Sequence, residues 1–355
     1  MSRFLSARHR DLVPYVPGEQ PQDMQYIKLN TNESPFPPAP EAVQAAAADA
    51  AKCNLYSDPL CRSVRERLAK RYGVDMENVL LTNGSDEALN FITLAYGDAE
   101  HPFAFCDVTY GLYPVLCRLY HVPFIELPLR ADFSVDVEAC LAADCPLILA
   151  NPNAPTSLAL PRDMLEIIVA SRPDRLVVVD EAYVDFGAES CVPLVKKYEN
   201  LLVVQTFSKS RSLAGARLGY IIGPAALIAE LDGIRCSLNP YNVNRMSLAI
   251  GSAVLDADEA YMQNCRVIME NRAWTADRLR EMGFNVLDSS ANFLFAGHPG
   301  LTGEAYYKSL KARGILVRYF SAPRTAPYVR ITIGTREQME ALIAATGEIL
   351  KEAQA

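Results

Sequence analysis

The sequence predicts an α/β protein: a large unit with a mostly parallel sheet between helices, then a smaller α+β unit. Three observations carry this expectation. Short apolar, β-branched runs recur along the first two-thirds of the chain, separated by segments with helical spacing. The runs are apolar throughout rather than alternating, the mark of strands covered on both faces. After about Asn244 the pattern changes to a long helical stretch followed by short strands. At 355 residues, half of them hydrophobic, the chain is long enough for one large core and a smaller second one.

Taken in order, residues 1–29 form a Pro-rich arm without a core of its own. It is expected to pack with the small domain or another subunit. The large domain is expected over 30–244. Its strands are read at Val79-Leu80-Leu81, Phe103-Ala104-Phe105-Cys106, Phe124-Ile125-Glu126-Leu127, Leu147-Ile148-Leu149-Ala150, Leu176-Val177-Val178-Val179, Leu201-Leu202-Val203-Val204 and Tyr220-Ile221-Ile222. The stretches from Asp86 to Tyr96 and from Arg162 to Ala170 have apolar residues at helical spacing. The small domain, 245–355, opens with a helical stretch from about Arg245 to Met282. Short strands are read at Asn292-Phe293-Leu294-Phe295, Ile315-Leu316-Val317-Arg318 and Tyr328-Val329-Arg330-Ile331, and a last helix from Glu337.

Composition narrows the function. The net charge is −8 with both signs mixed throughout, so no basic face offers itself to nucleic acid. The apolar stretches are too short and interrupted to span a bilayer, and the N-terminus lacks the apolar core of a secretory signal. Nine cysteines, an odd number, show no Cys-x-x-Cys spacing. Cys106, Cys117, Cys145, Cys236 and Cys265 read as small core residues of a reducing, cytoplasmic compartment. The four histidines lack ligand spacing, so no metal site is expected.

Four chemically loaded segments each follow a predicted strand: Asn83-Gly84-Ser85-Asp86-Glu87, Asn151-Pro152-Asn153-Ala154-Pro155-Thr156, Asp180-Glu181-Ala182-Tyr183, and Thr206-Phe207-Ser208-Lys209 with Arg217 eight residues on. In open α/β sheets ligands bind beyond the carboxyl ends of the strands, so these segments should converge. Lys209, amid hydroxyl residues and a cation, suits capture of an aldehyde cofactor as a Schiff base, with the hydroxyls and the arginine on a phosphate tail. A solvated loop lysine fits the segment as well. Gly84, Ser85 and Asp86 open a helix whose free N–H groups suit a phosphate; the same residues also make an ordinary cap, with Ser85 as cap residue. Asp180 can keep a pyridine nitrogen protonated, Tyr183 can reach a ring hydroxyl and Tyr110 can stack on a flat ring. A metal-binding or helix-capping role for Asp180 and core packing for Tyr110 are the plain alternatives. Arg330 and Arg318, each set among apolar residues, fit a carboxylate or phosphate, or else an internal ion pair. No Gly-x-Gly-x-x-Gly, Gly-x-x-x-x-Gly-Lys or Gly-x-Ser-x-Gly sequence appears at such a position, which disfavours dinucleotide, P-loop and α/β-hydrolase chemistry.

Together these residues resemble the fold-type I pyridoxal-phosphate aminotransferases, and within them the histidinol-phosphate aminotransferases. The resemblance covers nearly the whole chain. Val13-Pro14-Tyr15-Val16-Pro17-Gly18 and Lys28-Leu29-Asn30-Thr31-Asn32-Glu33 match the family's opening. Asn54-Leu55-Tyr56-Ser57-Asp58-Pro59, Asn239-Pro240-Tyr241-Asn242-Val243-Asn244 and Arg330-Ile331-Thr332-Ile333-Gly334 match later signatures.

The resemblance implies pyridoxal 5′-phosphate as cofactor, with Lys209 as Schiff-base lysine and proton carrier. Asp180 would meet the ring nitrogen, Tyr183 the ring oxygen, and Tyr110 the ring face. Gly84, Ser85, Asp86, Thr206, Ser208 and Arg217 would hold the phosphate, joined by Tyr56 from the partner chain of a homodimer. Tyr15, Asn32, Arg318 and Arg330 would receive the substrate. The implied reaction is transamination of L-histidinol phosphate with 2-oxoglutarate in histidine biosynthesis, giving imidazole-acetol phosphate and glutamate. An aromatic amino-acid aminotransferase or an O-phosphothreonine decarboxylase would share almost every cofactor contact. A catalytically silent cofactor-binding regulator is the alternative from another class. Three positions depart from the family's pattern. Ala154 stands where an asparagine usually contacts the ring oxygen, so either Asn153 reaches in or Tyr183 bears that contact alone. Arg211 replaces an apolar residue, and Ser157 replaces a glycine.

Overall fold

Successive residues of the strand Val177–Asp180 bury themselves on opposite sides of the main sheet, Val177 and Val179 in one apolar cluster and Val178 in another. Leu201 and Val203 divide from Leu202 and Val204 in the same way. A strand's side chains alternate in direction, so a sheet buried on both sides demands unbroken apolar runs. The computed structural model describes residues 2–354. Its main sheet has seven strands: β2 (Val79–Thr82), β3 (Phe103–Cys106), β4 (Phe124–Leu127), β5 (Leu147–Ala150), β6 (Val177–Asp180), β7 (Leu201–Thr206) and β8 (Gly219–Ile222). Their order is β2-β8-β7-β6-β5-β3-β4, and β8 runs antiparallel to both its neighbours. β1 (Ile27–Lys28) lies outside this sheet, pairing in parallel with β11 (Ile315–Leu316).

The second sheet belongs to the C-terminal part, in the order β12-β13-β10-β9, with β9 (Asn285–Val286), β10 (Phe293–Gly297), β12 (Arg318–Tyr319) and β13 (Tyr328–Thr332). It shares an apolar cluster with two helices: Leu294, Ile331 and Val329 pack with Ile268 and Leu279, and with Leu342 and Ile349. The run Ile315-Leu316-Val317-Arg318, expected as one strand, is split: β11 pairs with β1, and β12 with β13. Two residues of the N-terminal arm compete successfully for the backbone groups of β11. Glu19 of the arm also engages Tyr307 and Lys311, while Arg8 donates to the carbonyl of Tyr120 in the large unit.

Among the helices, α1 (Pro40–Ala50) and α2 (Arg62–Tyr72) precede the sheet, and α3 (Ser85–Tyr96) and α4 (Leu112–Tyr120) follow β2 and β3. α5 (Val137–Ala142), α6 (Arg162–Ala170) and α7 (Ala225–Leu238) complete the layers. The helical stretch expected from about Arg245 to Met282 is two helices, α8 (Arg245–Asp256) and α9 (Asp258–Glu281). The Asn244 side chain caps α8, accepting from the Ser247 N–H at 2.9 Å. α8 packs on α1 and α2, so it sides with the large unit, although the sequence pattern grouped it with the small one. The break at Ala257 lets α9 turn toward the second sheet. α10 (Gly303–Ala312) and α11 (Arg336–Gln354) finish the fold. Seven cysteines are buried, but Cys53 and Cys236 are exposed. For Cys236 this corrects the expectation of a core residue: α7 turns it outward, where its sulfur accepts from Arg235 at 3.1 Å. No described helix is long and apolar enough to cross a membrane, and the described residues contain no cluster of metal-ligating side chains.

Candidate functional site

One cavity of about 470 Å³ lies at the carboxyl ends of the main strands and extends to the second sheet. Of the residues singled out in the sequence, it brings together Tyr15, Asn32, Ser85, Asp86, Tyr110, Asp180, Tyr183, Thr206, Ser208, Lys209, Arg217, Arg318 and Arg330. The strand ends explain the convergence. β6 delivers Asp180, β7 delivers Thr206 with Lys209 just beyond, and α3 begins at Ser85 directly after β2.

Lys209 is the one lysine among the residues that line this cavity. Among the described residues its ammonium hydrogen-bonds only the Thr31 carbonyl, at 3.1 Å, and it lies 5.9 Å from the centre of the Tyr183 ring. Burial first, then the positive charges of Arg330 and Arg217, bring its pKa down to about 8. A lysine in this state is readily deprotonated and nucleophilic. Tyr183 accepts from the Asn32 amide at 2.9 Å. Asp180 is buried, and burial pushes its pKa up to about 6. Its oxygens accept from the Tyr113 hydroxyl at 2.8 Å and the Ala182 N–H at 3.2 Å, and no described cation pairs with it.

The turn between β2 and α3 is shaped by two glycines. Gly84, not Ser85, is the N-cap residue, with φ +86°. A Cβ on Gly84 would stand 2.5 Å from the Arg217 guanidinium, and one on Gly219 would stand 2.5 Å from the backbone of Gly84 and Ser85. Glycine at both positions lets β8 and the α3 N-terminus close on each other. Gly84 itself stays behind the cavity wall. Arg217 holds Asp86 at 2.9 Å, and the second oxygen of Asp86 accepts from Tyr110 at 2.9 Å. The Asp86 side chain therefore joins Tyr110 to Arg217, a link beyond the backbone role expected of it.

Besides Gly84, two expected residues are not brought into the cavity. Asn153 is turned away: its amide donates to the Val108 carbonyl and the Thr156 hydroxyl and accepts from Thr109, each at 2.9 Å. With its hydrogen bonds made elsewhere it cannot reach a ring oxygen, and Ala154 lines the cavity in its place. Tyr56 is 78 % exposed and stacks on Tyr241, ring centres 4.4 Å apart. The departures at 157 and 211 have local explanations. Ser157 has φ +67°, the conformation that favours glycine. Arg211 is buried and ion-paired with Asp185 at 2.7 Å and Asp258 at 2.9 Å.

Sequence inspection missed Phe320, Thr31 and Tyr113. Phe320 follows a strand only two residues long and lines the cavity, its ring 5.6 Å from the guanidinium carbons of both Arg318 and Arg330. Thr31 contributes only a carbonyl, which no residue type signals. Tyr113 sits three residues after Tyr110 at the start of α4, a helical spacing that places it beside the site.

Comparison with known proteins agrees with this arrangement. Residues 24–345 match the family model "Aminotransferase class I and II". The chain is 45% identical over 354 residues to "Histidinol-phosphate aminotransferase 2" of Dechloromonas aromatica, covering 98% of this chain and 99% of that one. It is 46% identical over 352 residues to "Histidinol-phosphate aminotransferase 1" of Bradyrhizobium diazoefficiens, covering 99% of each. The crystal structure of histidinol-phosphate aminotransferase from Sinorhizobium meliloti, a complex with pyridoxal-5′-phosphate, shares the fold, with a TM-score of 0.84 at 24% identity over 92% of both chains. The chain belongs to the class I and II aminotransferases, in the family of histidinol-phosphate aminotransferases.

Proposed function

We propose that the chain transfers an amino group between L-histidinol phosphate and 2-oxoglutarate, with pyridoxal 5′-phosphate as cofactor and glutamate and imidazole-acetol phosphate as products. The observation that carries this is the half-buried and easily deprotonated Lys209 amine, in one cavity with a buried carboxylate that has no cationic partner and with three arginines. The donor set fits the cofactor. Asp180 would hold the ring nitrogen, since a buried carboxylate without a cationic partner calls for a positive group. Tyr183 and Asn32 would hold the ring oxygen, and Tyr110 would cover the ring. Ser85, Asp86, Thr206, Ser208 and Arg217 would surround the phosphate, with Gly84 and Gly219 letting the backbone approach. The cofactor supplies an aldehyde for the amine and an electron sink that acidifies the substrate Cα–H.

The protein supplies position and proton transfer. Lys209 would take the proton from the substrate Cα and hold it for delivery, for which an amine with a pKa of about 8 is suited. Arg318 and Arg330 bind the anionic end of either substrate, with the Phe320 ring beside both guanidinium groups. The Arg–anion fork fixes which way the substrate enters, so the reacting carbon meets Lys209.

We further propose a homodimer in which Tyr56 reaches the partner's cofactor phosphate. Its exposure, next to exposed Leu55 and the stacked Tyr241, supports an apolar surface that a second copy covers. The nine thiols suit the cytoplasm. The reaction is tested by comparing kcat/KM for histidinol phosphate, phenylalanine and phosphothreonine. Preference for phenylalanine, or carbon dioxide release from phosphothreonine, would replace this assignment. Borohydride treatment of the loaded enzyme should fix the cofactor to Lys209, and Lys209→Ala should fix none.

A further inference from the structure

Tyr113 lies behind the cavity wall, 1 % exposed, yet it touches two residues of the site. Its hydroxyl donates to Asp180 Oδ2 at 2.8 Å. The same ring meets Tyr110 edge-on, with ring centres 5.7 Å apart and planes at 90°. Phe105 packs on it as well, at 5.8 Å. α4 carries the tyrosine and β6 the carboxylate, so this hydrogen bond ties a helix to the end of a central strand.

We propose that Tyr113 is a positioning residue for the cofactor site: its hydroxyl holds Asp180 as an oriented carboxylate, and its ring edge fixes the tilt of Tyr110. This rests on the assignment of Asp180 to the cofactor's ring nitrogen.

The physical case starts from what surrounds Asp180. The titratable groups facing it are Tyr113 on α4, Asp86 on α3, and Tyr183, with Lys209 and Tyr110 in the same cavity. Burial favours the neutral acid, and the negative charge of Asp86 adds to that. Only the Tyr113 hydroxyl and the Ala182 N–H oppose it. A donor to a charged acceptor is worth enough to move its pKa by about one unit. Without the hydroxyl, Asp180 titrates about one unit higher and is about half protonated at pH 7. A neutral acid does not hold a positive ring nitrogen, and it is free to rotate about its remaining contact.

The test is titration of pyridoxal 5′-phosphate into apoenzyme, followed by equilibrium dialysis at several pH values. The proteins are the wild type, Tyr113→Phe, Asp180→Asn and Tyr306→Phe. The last removes an equally buried hydroxyl, bonded to Thr346 in the small unit. Wild-type affinity should fall as the pH drops through about 6. In Tyr113→Phe the fall should lie about one unit higher, so binding is weakened about twofold at pH 7, approaches a tenfold loss below about pH 6, and is restored in alkali. Asp180→Asn should lack this fall, and Tyr306→Phe should behave as wild type. The inference is overturned if Tyr113→Phe follows the wild-type profile, if it weakens binding by one factor at every pH, or if Tyr306→Phe has the same effect. Should Asp180→Asn match the wild type at every pH, the assignment of Asp180 fails, and this inference with it.

Discussion

Arg318 and Arg330 are directly opposed across the β12–β13 pair, two cations side by side on one face of an antiparallel ribbon. Like charges in that relation disfavour the sheet. Neither finds a carboxylate among the described residues: Arg318 donates to the carbonyls of Val16 and Pro17 at 3.2 Å, and Arg330 to that of Asn30 at 2.9 Å. Arg330 is half-buried, and desolvation first, then the nearby Arg318, lowers its pKa. In the proposed function, the anionic end of the substrate would relieve the repulsion that the fold tolerates without it.

Arg330→Lys should therefore keep the charge and lose the fork. We expect kcat/KM for histidinol phosphate to fall about 10- to 100-fold, from the loss of charge-assisted hydrogen bonds. Steady-state kinetics with both substrates checks this. A variant that still uses both substrates within a factor of about two would remove Arg330 from the binding site.

Lys209 costs the apoenzyme stability. Its pKa falls from 10.5 unfolded to about 8 folded, so the unfolded chain binds more protons between those values. Below pH 8 the penalty is fully present, and stability rises with pH between about 8 and 10.5 as the penalty disappears. Lys209→Met should stabilise the cofactor-free protein at pH 7 by on the order of 3 kcal/mol, with little gain above pH 10.5. Urea unfolding of both apoproteins at the two pH values measures it. Equal stability at pH 7 would show that the amine is not destabilised by burial.

Arg211 ties the lysine loop to the segment after Tyr183 through Asp185 and Ser210, and to α9 through Asp258. Removing one partner of a buried pair leaves the other uncompensated. Arg211→Met should lower stability by about 3 kcal/mol, and Arg211→Met with Asp185→Leu should lose less than the sum of the single changes. Calorimetry of the four proteins gives the coupling, and strict additivity would contradict the buried pair.

The shared site is tested by mixing. Tyr56→Ala and Lys209→Ala subunits are dissociated together and allowed to reassociate. A hybrid dimer then has one site with both wild-type residues, and activity returns. If each parent dimerises normally and the mixture regains nothing, Tyr56 does not serve the partner's site.

Much of this was legible in the chain itself. The runs Val177-Val178-Val179 and Leu201-Leu202-Val203-Val204 announce doubly covered strands because a central strand has no solvent face to show. Lys209 and Asp180 are legible for the same reason: each directly follows such a run, and the ends of parallel strands share one edge. What only the tertiary structure decided are relations between distant segments. The Asn32 amide meets Tyr183 across 151 residues, and Arg330 meets the Asn30 carbonyl across 300. Local sequence could not choose between Asn153 turned in and Asn153 turned out, because the partners that turn it out lie on the loop after β3. Nor could it pair Arg211 with Asp258, or Tyr113 with Asp180. Strand identity follows from a residue's own burial and period, whereas the direction of a polar side chain follows from whichever donor or acceptor the packing brings within about 3 Å.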